Sequence, residues 1–331
     1  MKTRYVATTV FLVIAAALGW YLYQRQTADT SGPVSIRLKW LHQAQFAGFY
    51  AADKKGFFRD EGLSVDLKPG GVEFPSVQAV VNGGETFGVT AADQIILERS
   101  EGAPIVGVAV MYRTTPMVLF SLSKSNIKTA ADLVGKKVGV KLGGNEELTY
   151  RAIIRAAGMN ASSIKEIPVK YDMTPLFDGL VDVWPGYVIN EVLVAREKNF
   201  EVNIIDPKTY GITLYADALF TTEATIRQKP ELVRKVVRAV IRGWQYAFDH
   251  PDDAARFTLE FNPKGDYSHE LAMMNASLPL LKPDVKGIGT LDLAVCEQMK
   301  TLLTEQHFLK KPVKVSEAFD SQFIDSYYAG K

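Results

Sequence analysis

From Val34 onward, short apolar runs alternate with amphipathic helical stretches, and this alternation constrains the fold more than any other feature. An uninterrupted apolar run such as residues 105–111 predicts a strand buried on both faces of a sheet. Strands separated by helices predict parallel β-α-β units, because two parallel strands need a long crossover. We therefore expect an α/β fold. The expected strands cover residues 36–40, 63–67, 86–89, 105–111, 137–141, 164–169, 181–183 and 202–205.

The expected helices lie between these strands and then fill the C-terminal part of the chain. They cover residues 46–55, 75–81, 93–99, 129–133, 146–157, 173–179, 187–196, 230–249, 252–261, 269–278 and 291–307. Residues 230–249 show the clearest pattern, because Glu231 follows a proline at the expected helix start and apolar residues recur at i, i+3 and i+4. This stripe predicts core packing. It consists of Leu232, Val233, Val236, Val237, Val240, Ile241 and Trp244.

Composition and charge exclude several classes of function. The chain of 331 residues balances 38 Lys and Arg against 37 Asp and Glu, so no overall positive field attracts nucleic acid. The single cysteine, Cys296, excludes an intramolecular disulfide and a multi-cysteine metal site. The sequence shows no Ser/His/Asp arrangement, zinc-ligand spacing or phosphate-binding glycine loop. We therefore expect no catalytic residues, no metal ligands and no cofactor.

The N-terminus has the outline of an export signal. Lys2 and Arg4 precede an apolar stretch over residues 5–23, and a polar run follows over residues 24–32. Because basic residues stay on the cytoplasmic side, we expect the rest of the chain in the periplasm or at the outer face of the cytoplasmic membrane. A cleaved signal peptide and a retained anchor both remain open. The length of the stretch, about 19 residues, favours the anchor.

Five sequence blocks resemble the thiamine-pyrimidine-precursor family of periplasmic binding proteins. The blocks keep the family's order and spacing, and the resemblance covers nearly the whole chain after residue 33. Nitrate, sulfonate and taurine binding proteins form the neighbouring branch of the same fold. The blocks are IRLKWLHQAQFAGFYAA at residues 36–52, KGFFRDEGL at 55–63, ADLVGKKVGV at 131–140, VDVWPGYVINE at 181–191 and YGITLYAD at 210–217.

The resemblance implies a type II periplasmic-binding-protein fold, in which two α/β lobes joined by two crossing strands hold a ligand in the cleft between them. Lobe one is expected to contain residues 34–117 and 218–331, lobe two residues 118–217, and the signal or anchor with its tether residues 1–33. The implied function is non-enzymatic: capture of a planar aromatic heterocycle, such as a thiamine pyrimidine precursor, for the permease and ATPase subunits of an ABC importer. A ligand that contacts both lobes stabilises their closed state.

The candidate ligand residues after the first strand combine aromatic faces with amide groups. Trp40 offers a stacking face at a strand end, where α/β proteins bind ligands, although packing in the lobe core is the alternative. Gln43 and Gln45 carry donors and acceptors that could read the edge of a heterocycle. Phe46 and Tyr50 would extend the apolar wall.

Other candidates in lobe one follow later strands. Asp93 lies after the strand at residues 86–89 and could equally be a helix N-cap. Arg113 could hold an anionic or carbonyl group, and a solvated loop charge is the alternative. Tyr215 and Asp217 lie where the second connecting strand should pass the cleft, and Tyr215 is the stronger candidate of the two.

Lobe two contributes a glycine-rich segment between a strand and a helix. The backbone N–H groups of Gly143, Gly144 and Asn145 could receive an acceptor or an anion. The segment is not a Walker loop, because no Gly-Lys-Ser/Thr follows it.

The block at residues 181–191 contributes the second aromatic surface. Its proline and glycine predict a turn that presents Trp184 and Tyr187 to a ring stacked on Trp40. Asn190 follows them, and Glu191 would lie on the face of the next helix that carries Tyr187. Its carboxylate could accept hydrogen bonds from ring N–H donors, and a salt bridge to a basic neighbour is the alternative.

Three other functions share this fold. The fungal hydroxymethylpyrimidine phosphate synthase carries a lysine and a histidine that match Thr90 and Gln94 here, and neither of these can form a Schiff base or supply an imidazole. Its cysteine-rich run matches residues 211–216, which contain no cysteine. A sulfonate or nitrate binding protein would favour a small anion, whereas Glu191 and the aromatic residues favour a planar ring with N–H donors. A tethered sensory module would need a separate signalling partner.

Overall fold

The computed structural model describes residues 33–281 and 286–330. The apolar stretch over residues 5–23, expected as a signal peptide or anchor, lies outside this range. Among the described helices, none combines the length and the apolar character needed to cross a bilayer.

Five strands form the first sheet, in the order β2, β1, β3, β10, β4. β1 runs parallel to β2 and β3, whereas β10 runs antiparallel to β3 and β4. The central strand β3 and the edge strand β4 are both buried along their whole length, as expected for strands whose two faces are covered. The bounds are β1 Val34–Arg37, β2 Val65–Lys68, β3 Phe87–Ala91, β4 Ile105–Val110 and β10 Asp217–Thr222.

The second sheet also has five strands, in the order β7, β6, β8, β5, β9. β6 runs parallel to β7 and β8, whereas β5 runs antiparallel to β8 and β9. The bounds are β5 Met117–Leu122, β6 Lys137–Val140, β7 Lys165–Pro168, β8 Val183–Tyr187 and β9 Val202–Ile205.

The chain passes between the two sheets twice, through residues 111–116 and 206–216. After each passage it adds an antiparallel strand to the sheet that it enters: β5 lies between β8 and β9, and β10 lies between β3 and β4. Two mixed sheets connected in this way form the expected α/β periplasmic-binding-protein fold. Below, lobe one denotes the first sheet with the helices that pack on it, and lobe two denotes the second sheet with its helices.

Helices follow most strands and then dominate the C-terminal part. The helices between strands are α1 Ala47–Lys54, α2 Phe57–Asp60, α3 Ser76–Val81, α4 Ala92–Glu101, α5 Asn145–Ala156, α6 Thr174–Phe177 and α7 Glu191–Glu197. The C-terminal helices are α8 Glu223–Gln228, α9 Pro230–Asp249, α10 Pro251–Phe261, α11 Tyr267–Leu281, α12 Leu293–Glu305, α13 Val315–Ala318 and α14 Gln322–Ala329. Short 3₁₀ turns lie at Ala44–Phe46, Ser123–Ser125, Ala130–Leu133, Ala161–Ser163 and Pro207–Tyr210.

α9 has the bounds that the apolar stripe predicts, and it packs closely on α1. A Cβ at Gly48 would lie 2.1 Å from the Trp244 ring, and a Cβ at Gly243 would lie 2.1 Å from the carbonyl oxygen of Gly48. The two glycines thus allow the helix backbones to approach each other, and α1 directly follows the segment that carries Trp40, Gln43 and Gln45.

The largest difference from the predicted elements concerns the block at residues 181–191. The expected turn at Trp184 to Tyr187 is instead the strand β8, which pairs with β5 along its whole length. β8 pairs with β6 only at Val183, so the missing N–H of Pro185 faces no ladder partner in β6. The helix expected over residues 187–196 begins only at Glu191.

Candidate functional site

A cavity of about 430 Å³ lies between the lobes, at the carboxyl ends of the parallel strands. This position is the one in which open α/β sheets bind ligands. Lobe one lines it with Lys39, Trp40, Gln43, Gln45, Gly71, Val72, Pro75, Ser76, Val77, Gln78, Thr90, Gln94 and Glu98. Lobe two lines it with Gly144, Asn145, Glu146, Tyr171, Met173, Tyr187, Asn190, Glu191 and Val194.

A hydrogen-bonded network, the buried polar network, crosses from one lobe to the other at this cavity. The Lys39 Nζ donates to the Tyr187 hydroxyl at 2.5 Å and to Asp217 Oδ1 at 3.0 Å. Gln45 Nε2 donates to Asp217 Oδ2 at 2.6 Å, and Asn145 Nδ2 donates to the Tyr187 hydroxyl at 2.9 Å. Lys39 and Tyr187 thus join the two lobes directly.

The network keeps Lys39 positively charged. Burial would lower the pKa of its ammonium group, but the Asp217 carboxylate and the Tyr187 hydroxyl outweigh burial and hold that pKa well above its ordinary value. Burial likewise raises the pKa of the Tyr187 hydroxyl, against the opposing effect of the Lys39 charge. Lys39 therefore acts only as a hydrogen-bond donor, and Tyr187 stays neutral.

An aromatic pair closes over the cavity from opposite lobes. The Trp40 and Tyr171 rings have centroids 4.7 Å apart and planes inclined at 47°. Trp40 is half-buried in lobe one, and Tyr171 retains 48% of its exposure in lobe two. Lys141 Nζ lies 5.0 Å from the centroid of the Tyr171 ring. The pair offers two ring faces at the point where the lobes meet.

Lys141 and Glu191 form a charged cluster on the lobe-two side. Lys141 Nζ lies 3.1 Å from Glu191 Oε1 and 3.7 Å from Glu146 Oε1. The second oxygen of Glu191 accepts from the backbone N–H of Tyr187 at 2.9 Å. Both oxygens of Glu191 are therefore paired within lobe two, which matches the salt-bridge alternative for this residue.

Several of the predicted ligand residues line the cavity, each on its own lobe. They are Trp40, Gln43, Gln45, Gly144, Asn145, Tyr187, Asn190 and Glu191. The side chain of Gln43 bonds to that of Gln45, because its Nε2 donates to Gln45 Oε1 at 2.6 Å. Asp217 lies directly behind the lining, where Lys39 and Gln45 cover its carboxylate.

Four aromatic residues expected in the cleft lie in the core instead. Phe46 is fully buried beneath the lining, and Tyr50 stacks on Phe261 with ring centroids 4.5 Å apart. The Tyr215 hydroxyl accepts from the backbone N–H of Asp292 at 3.1 Å, away from the cavity. Trp184 is fully buried in the apolar core of lobe two.

The geometry of β8 explains why Trp184 does not face the cavity. Successive side chains of a strand point to opposite faces, so Trp184 and Tyr187, three positions apart on β8, cannot face the same ring. Tyr187 reaches the cavity, whereas Trp184 packs against Val118 and Phe120. The aromatic residue of lobe two that contacts Trp40 is Tyr171, in a tilted arrangement.

Three further residues that were expected to offer polar groups to the ligand also lie away from the cavity lining. Asp93 lies within the first turn of α4 and is not its N-cap; it is 2% exposed, and its Oδ2 has no hydrogen-bond partner among the described residues. Arg113 is 5% exposed and hydrogen-bonds with Tyr215, so it lies away from the lining as a buried charge and not as a solvated one. The N–H of Gly143 already donates to Glu147 Oε2 at 2.9 Å and is taken up by its own loop.

Sequence reasoning missed three residues that shape the cavity: Lys39, Glu146 and Tyr171. Lys39 follows a strand in which apolar and polar residues alternate. This pattern predicts that the lysine side chain points into solvent. Tyr171 lies between Lys170 and Asp172 and reads as a surface loop. Only the approach of the second lobe turns these positions into a site. Among the described residues, no group of three or more His, Cys, Asp or Glu side chains could hold a metal ion.

Comparison with known proteins places this geometry in a family. The riboflavin-binding protein RibY of Chloroflexus aurantiacus is 27% identical over 307 residues, which cover 88% of this chain and 86% of RibY. The formylaminopyrimidine-binding protein of Halalkalibacterium halodurans is 24% identical over 300 residues, covering 87% and 89%. A 4-amino-5-hydroxymethyl-2-methylpyrimidine phosphate synthase of Legionella pneumophila is 23% identical over 236 residues, covering 70% and 74%.

The fold has close structural neighbours. The periplasmic aliphatic sulphonate binding protein SsuA of Escherichia coli superposes with a TM-score of 0.70 at 16% identity, covering 87% of this chain and 92% of SsuA. The family profile described as NMT1/THI5 like matches residues 43–254, more than half of the sequence. The chain belongs to the NMT1/THI5-like family.

Proposed function

We propose that this protein captures a planar aromatic heterocycle between its lobes, as the extracytoplasmic solute-binding component of an ABC importer. The observation that carries the proposal is the cavity itself, which both lobes line and which the Trp40 and Tyr171 rings cover from opposite sides. A flat ring inserted between these faces would have to move them from a centroid separation of 4.7 Å to about 7 Å, twice the usual carbon–carbon contact distance. It would then gain stacking contacts from both lobes and would stabilise their closed arrangement.

The charges around the cavity favour a ring with hydrogen-bonding edges over a small anion. Among the described lining residues, Glu98, Glu146 and Glu191 carry negative charge, and Lys39 is paired with Asp217. An anionic sulfonate would meet this acidic surplus, because the charge of Lys39 is already balanced by Asp217. The charge distribution therefore favours a heterocycle over a sulfonate or nitrate ion.

The size of the cavity agrees with a small-molecule ligand. A volume of about 430 Å³ lies in the range of roughly 300 to 1,000 Å³ that is typical of ligand pockets. Two relatives are named for riboflavin and for a formylaminopyrimidine, both of which contain planar nitrogen heterocycles. We therefore propose an aminopyrimidine of the thiamine-precursor type or a flavin-type ring as the ligand class.

We propose binding without chemical conversion, although one relative is named as a synthase. Thr90 and Gln94, which match the lysine and histidine of the fungal enzyme, both line the cavity. Their side chains offer hydrogen bonds but neither a Schiff base nor an imidazole. Incubation of the purified protein with each heterocycle, followed by mass spectrometry of the small molecule, should recover the compound unchanged.

The transport role and the location belong to the same proposal. The two-lobed fold and the names of the binding-protein relatives support an extracytoplasmic protein that serves a permease. Cell fractionation tests whether the N-terminal segment anchors the protein to the membrane. If it does, the full-length chain should be found in the membrane fraction. A deletion strain separates import from sensing, because import predicts loss of growth on the heterocycle and sensing predicts altered signalling with uptake intact.

The direct test is a titration of the purified protein with riboflavin, 4-amino-5-hydroxymethyl-2-methylpyrimidine and an alkanesulfonate, followed by calorimetry. We expect saturable binding of one heterocycle at a single site and no comparable binding of the sulfonate. Tight binding of the sulfonate with neither heterocycle bound would refute the proposal and favour the anion-binding alternative.

A further inference from the structure

Lys39 has one hydrogen-bond donor left for a ligand. An ammonium group has three N–H donors, and two of them serve Tyr187 and Asp217. The Lys39 side chain is 20% exposed and lines the cavity, so the third N–H can reach a bound molecule. It requires an acceptor there, because a charged ammonium group accepts no hydrogen bond.

Glu146 offers the complementary group from the other lobe. It is the second residue of α5, it lines the cavity, and its side chain is 14% exposed. Its nearest cation, Lys141, lies 3.7 Å away and binds Glu191 more closely, at 3.1 Å. Among the described residues, no hydrogen-bond donor contacts the Glu146 carboxylate, which therefore keeps its acceptor capacity for a ligand.

Glu191, the other carboxylate on this side, is committed to the fold. One oxygen pairs with Lys141 and the other accepts from the backbone N–H of Tyr187. A ligand donor could compete with these bonds only by weakening the start of α7. The less committed carboxylate is Glu146.

We propose that Lys39 and Glu146 together determine ligand specificity: Lys39 donates to a carbonyl oxygen or unprotonated ring nitrogen, and Glu146 accepts from a neighbouring ring N–H or amino group. The inference rests on the proposed function and deepens it. Because the two side chains come from different lobes, a ring that satisfies both also bridges the cleft. Rings with the reverse pattern, or with a capped donor, leave a charged group unpaired.

The test pairs each heterocycle with an analogue that lacks the donor. The pairs are 4-amino-5-hydroxymethyl-2-methylpyrimidine with the same ring without its 4-amino group, and riboflavin with 3-methylriboflavin. Dissociation constants are measured by calorimetry for the wild type and for Glu146→Met. For the parent that binds, we expect loss of the donor to weaken binding to the wild type by about ten- to a hundredfold, and to weaken binding to Glu146→Met by less than about threefold.

A second variant tests the donor in lobe one. Lys39→Met alone would leave Asp217 with only Gln45 as partner, so it is combined with Asp217→Asn, which removes both charges together. We expect this double variant to bind the parent heterocycle about tenfold more weakly or worse. The Glu146 comparison does not depend on this variant, should the double variant fail to fold.

Matched controls change the same residue types outside the cavity. Glu147→Gln alters the next carboxylate on α5, which bonds to Gly143 and Arg151, and Lys68→Met alters a lysine that pairs with Glu85. Both should bind as the wild type does. If a parent binds the wild type and Glu146→Met equally well, with the same penalty for the donor-free analogue in both, the specificity inference is wrong and the proposed function stands. If neither parent binds the wild type, both are wrong.

Discussion

At the residue scale, Asp93 is a buried acid one residue before Gln94, which lines the cavity. Its Oδ1 accepts from the backbone N–H of Gln94, whereas its buried Oδ2 has no hydrogen-bond partner among the described residues. Burial raises the pKa of this carboxyl from 3.8 to about 6, against the lowering effect of the Lys39 charge. The folded protein therefore holds a proton here that the unfolded chain releases at lower pH.

This shift gives a signed prediction for stability. Between about pH 4 and pH 6 the folded state binds more protons at Asp93 than the unfolded state, so the carboxyl lowers the free energy of unfolding as pH rises through that window. Asp93→Asn should remove the penalty, on the order of 2 to 3 kcal/mol above about pH 6. Urea unfolding of both proteins at several pH values checks it. A difference that is independent of pH would contradict the assignment.

Substitutions of Trp40 and Trp184 should affect ligand binding differently. Trp40 lines the cavity, whereas Trp184 is buried in the core of lobe two. Trp40→Ala should weaken heterocycle binding by about tenfold or more, because one of the two stacking faces is lost. Trp184→Phe should leave the affinity within about twofold. Calorimetry with both variants separates the two, and equal losses would show that the wrong aromatic residue is assigned.

At the element scale, α1, which follows the segment that carries Trp40, packs closely on α9. A Cβ at Gly243 would lie 2.1 Å from the Gly48 carbonyl oxygen and 2.7 Å from the Ala52 backbone nitrogen. Gly243→Ala should therefore force the helices apart and lower the free energy of unfolding by about 1 to 3 kcal/mol. Its higher helix propensity would offset only about 1 kcal/mol. Denaturant unfolding measures the change.

The control for this prediction lies on the exposed face of the same helix. Glu231 is 74% exposed and makes only a surface ion pair with Arg234, so Glu231→Ala should change stability by less than about 1 kcal/mol. Unchanged stability in Gly243→Ala would mean that the two helices can separate without loss.

Helices with a clear hydrophobic period could be predicted from the sequence. Strands that are defined only by their pairing with another strand could not. α9 keeps the bounds that its apolar stripe predicts, because a helix of 20 residues carries its own pattern. β8 is hidden by Pro185 and Gly186, which normally indicate a turn, and only its pairing with β5 explains it. β5 itself, Met117–Leu122, lies at the lobe junction and is absent from the predicted strands.

Part of the candidate site could likewise be predicted from the sequence, and part could not. The strand-end positions of Trp40, Gln45 and Asn145 follow from the predicted order of strands and helices. Lys39 and Tyr171 could not be recognised, because each acquires its partner from the other lobe. Pairing between lobes depends on three-dimensional closure, which a single sequence does not encode in any local pattern.

At the scale of the whole molecule, the buried polar network and the aromatic pair join the two lobes. Lys39 and Tyr187 bond across the cleft, and His269 Nδ1 of the C-terminal helix α11 lies 2.8 Å from Glu197 Oε1 of α7. The closed arrangement therefore has stabilising contacts of its own, and a ligand adds to them.

A thermal measurement follows from this arrangement. At a free ligand concentration of about 100 times Kd, binding to the folded state alone should add about 2.7 kcal/mol to the free energy of unfolding. For a chain of this size that corresponds to a rise in Tm of several degrees. Differential scanning fluorimetry with the heterocycle should show the rise in the wild type and a much smaller one in Trp40→Ala at the same ligand concentration. Equal shifts in both proteins would place the ligand elsewhere.

The crystal structure of the protein with the tighter-binding heterocycle tests the central claim most directly. The account predicts the ring in the cavity between the lobes, against Trp40 and Tyr171, with an acceptor at Lys39 and a donor at Glu146. A ring that contacts a single lobe, or one that occupies the separate cavity lined by Arg155 and Glu305, would contradict it.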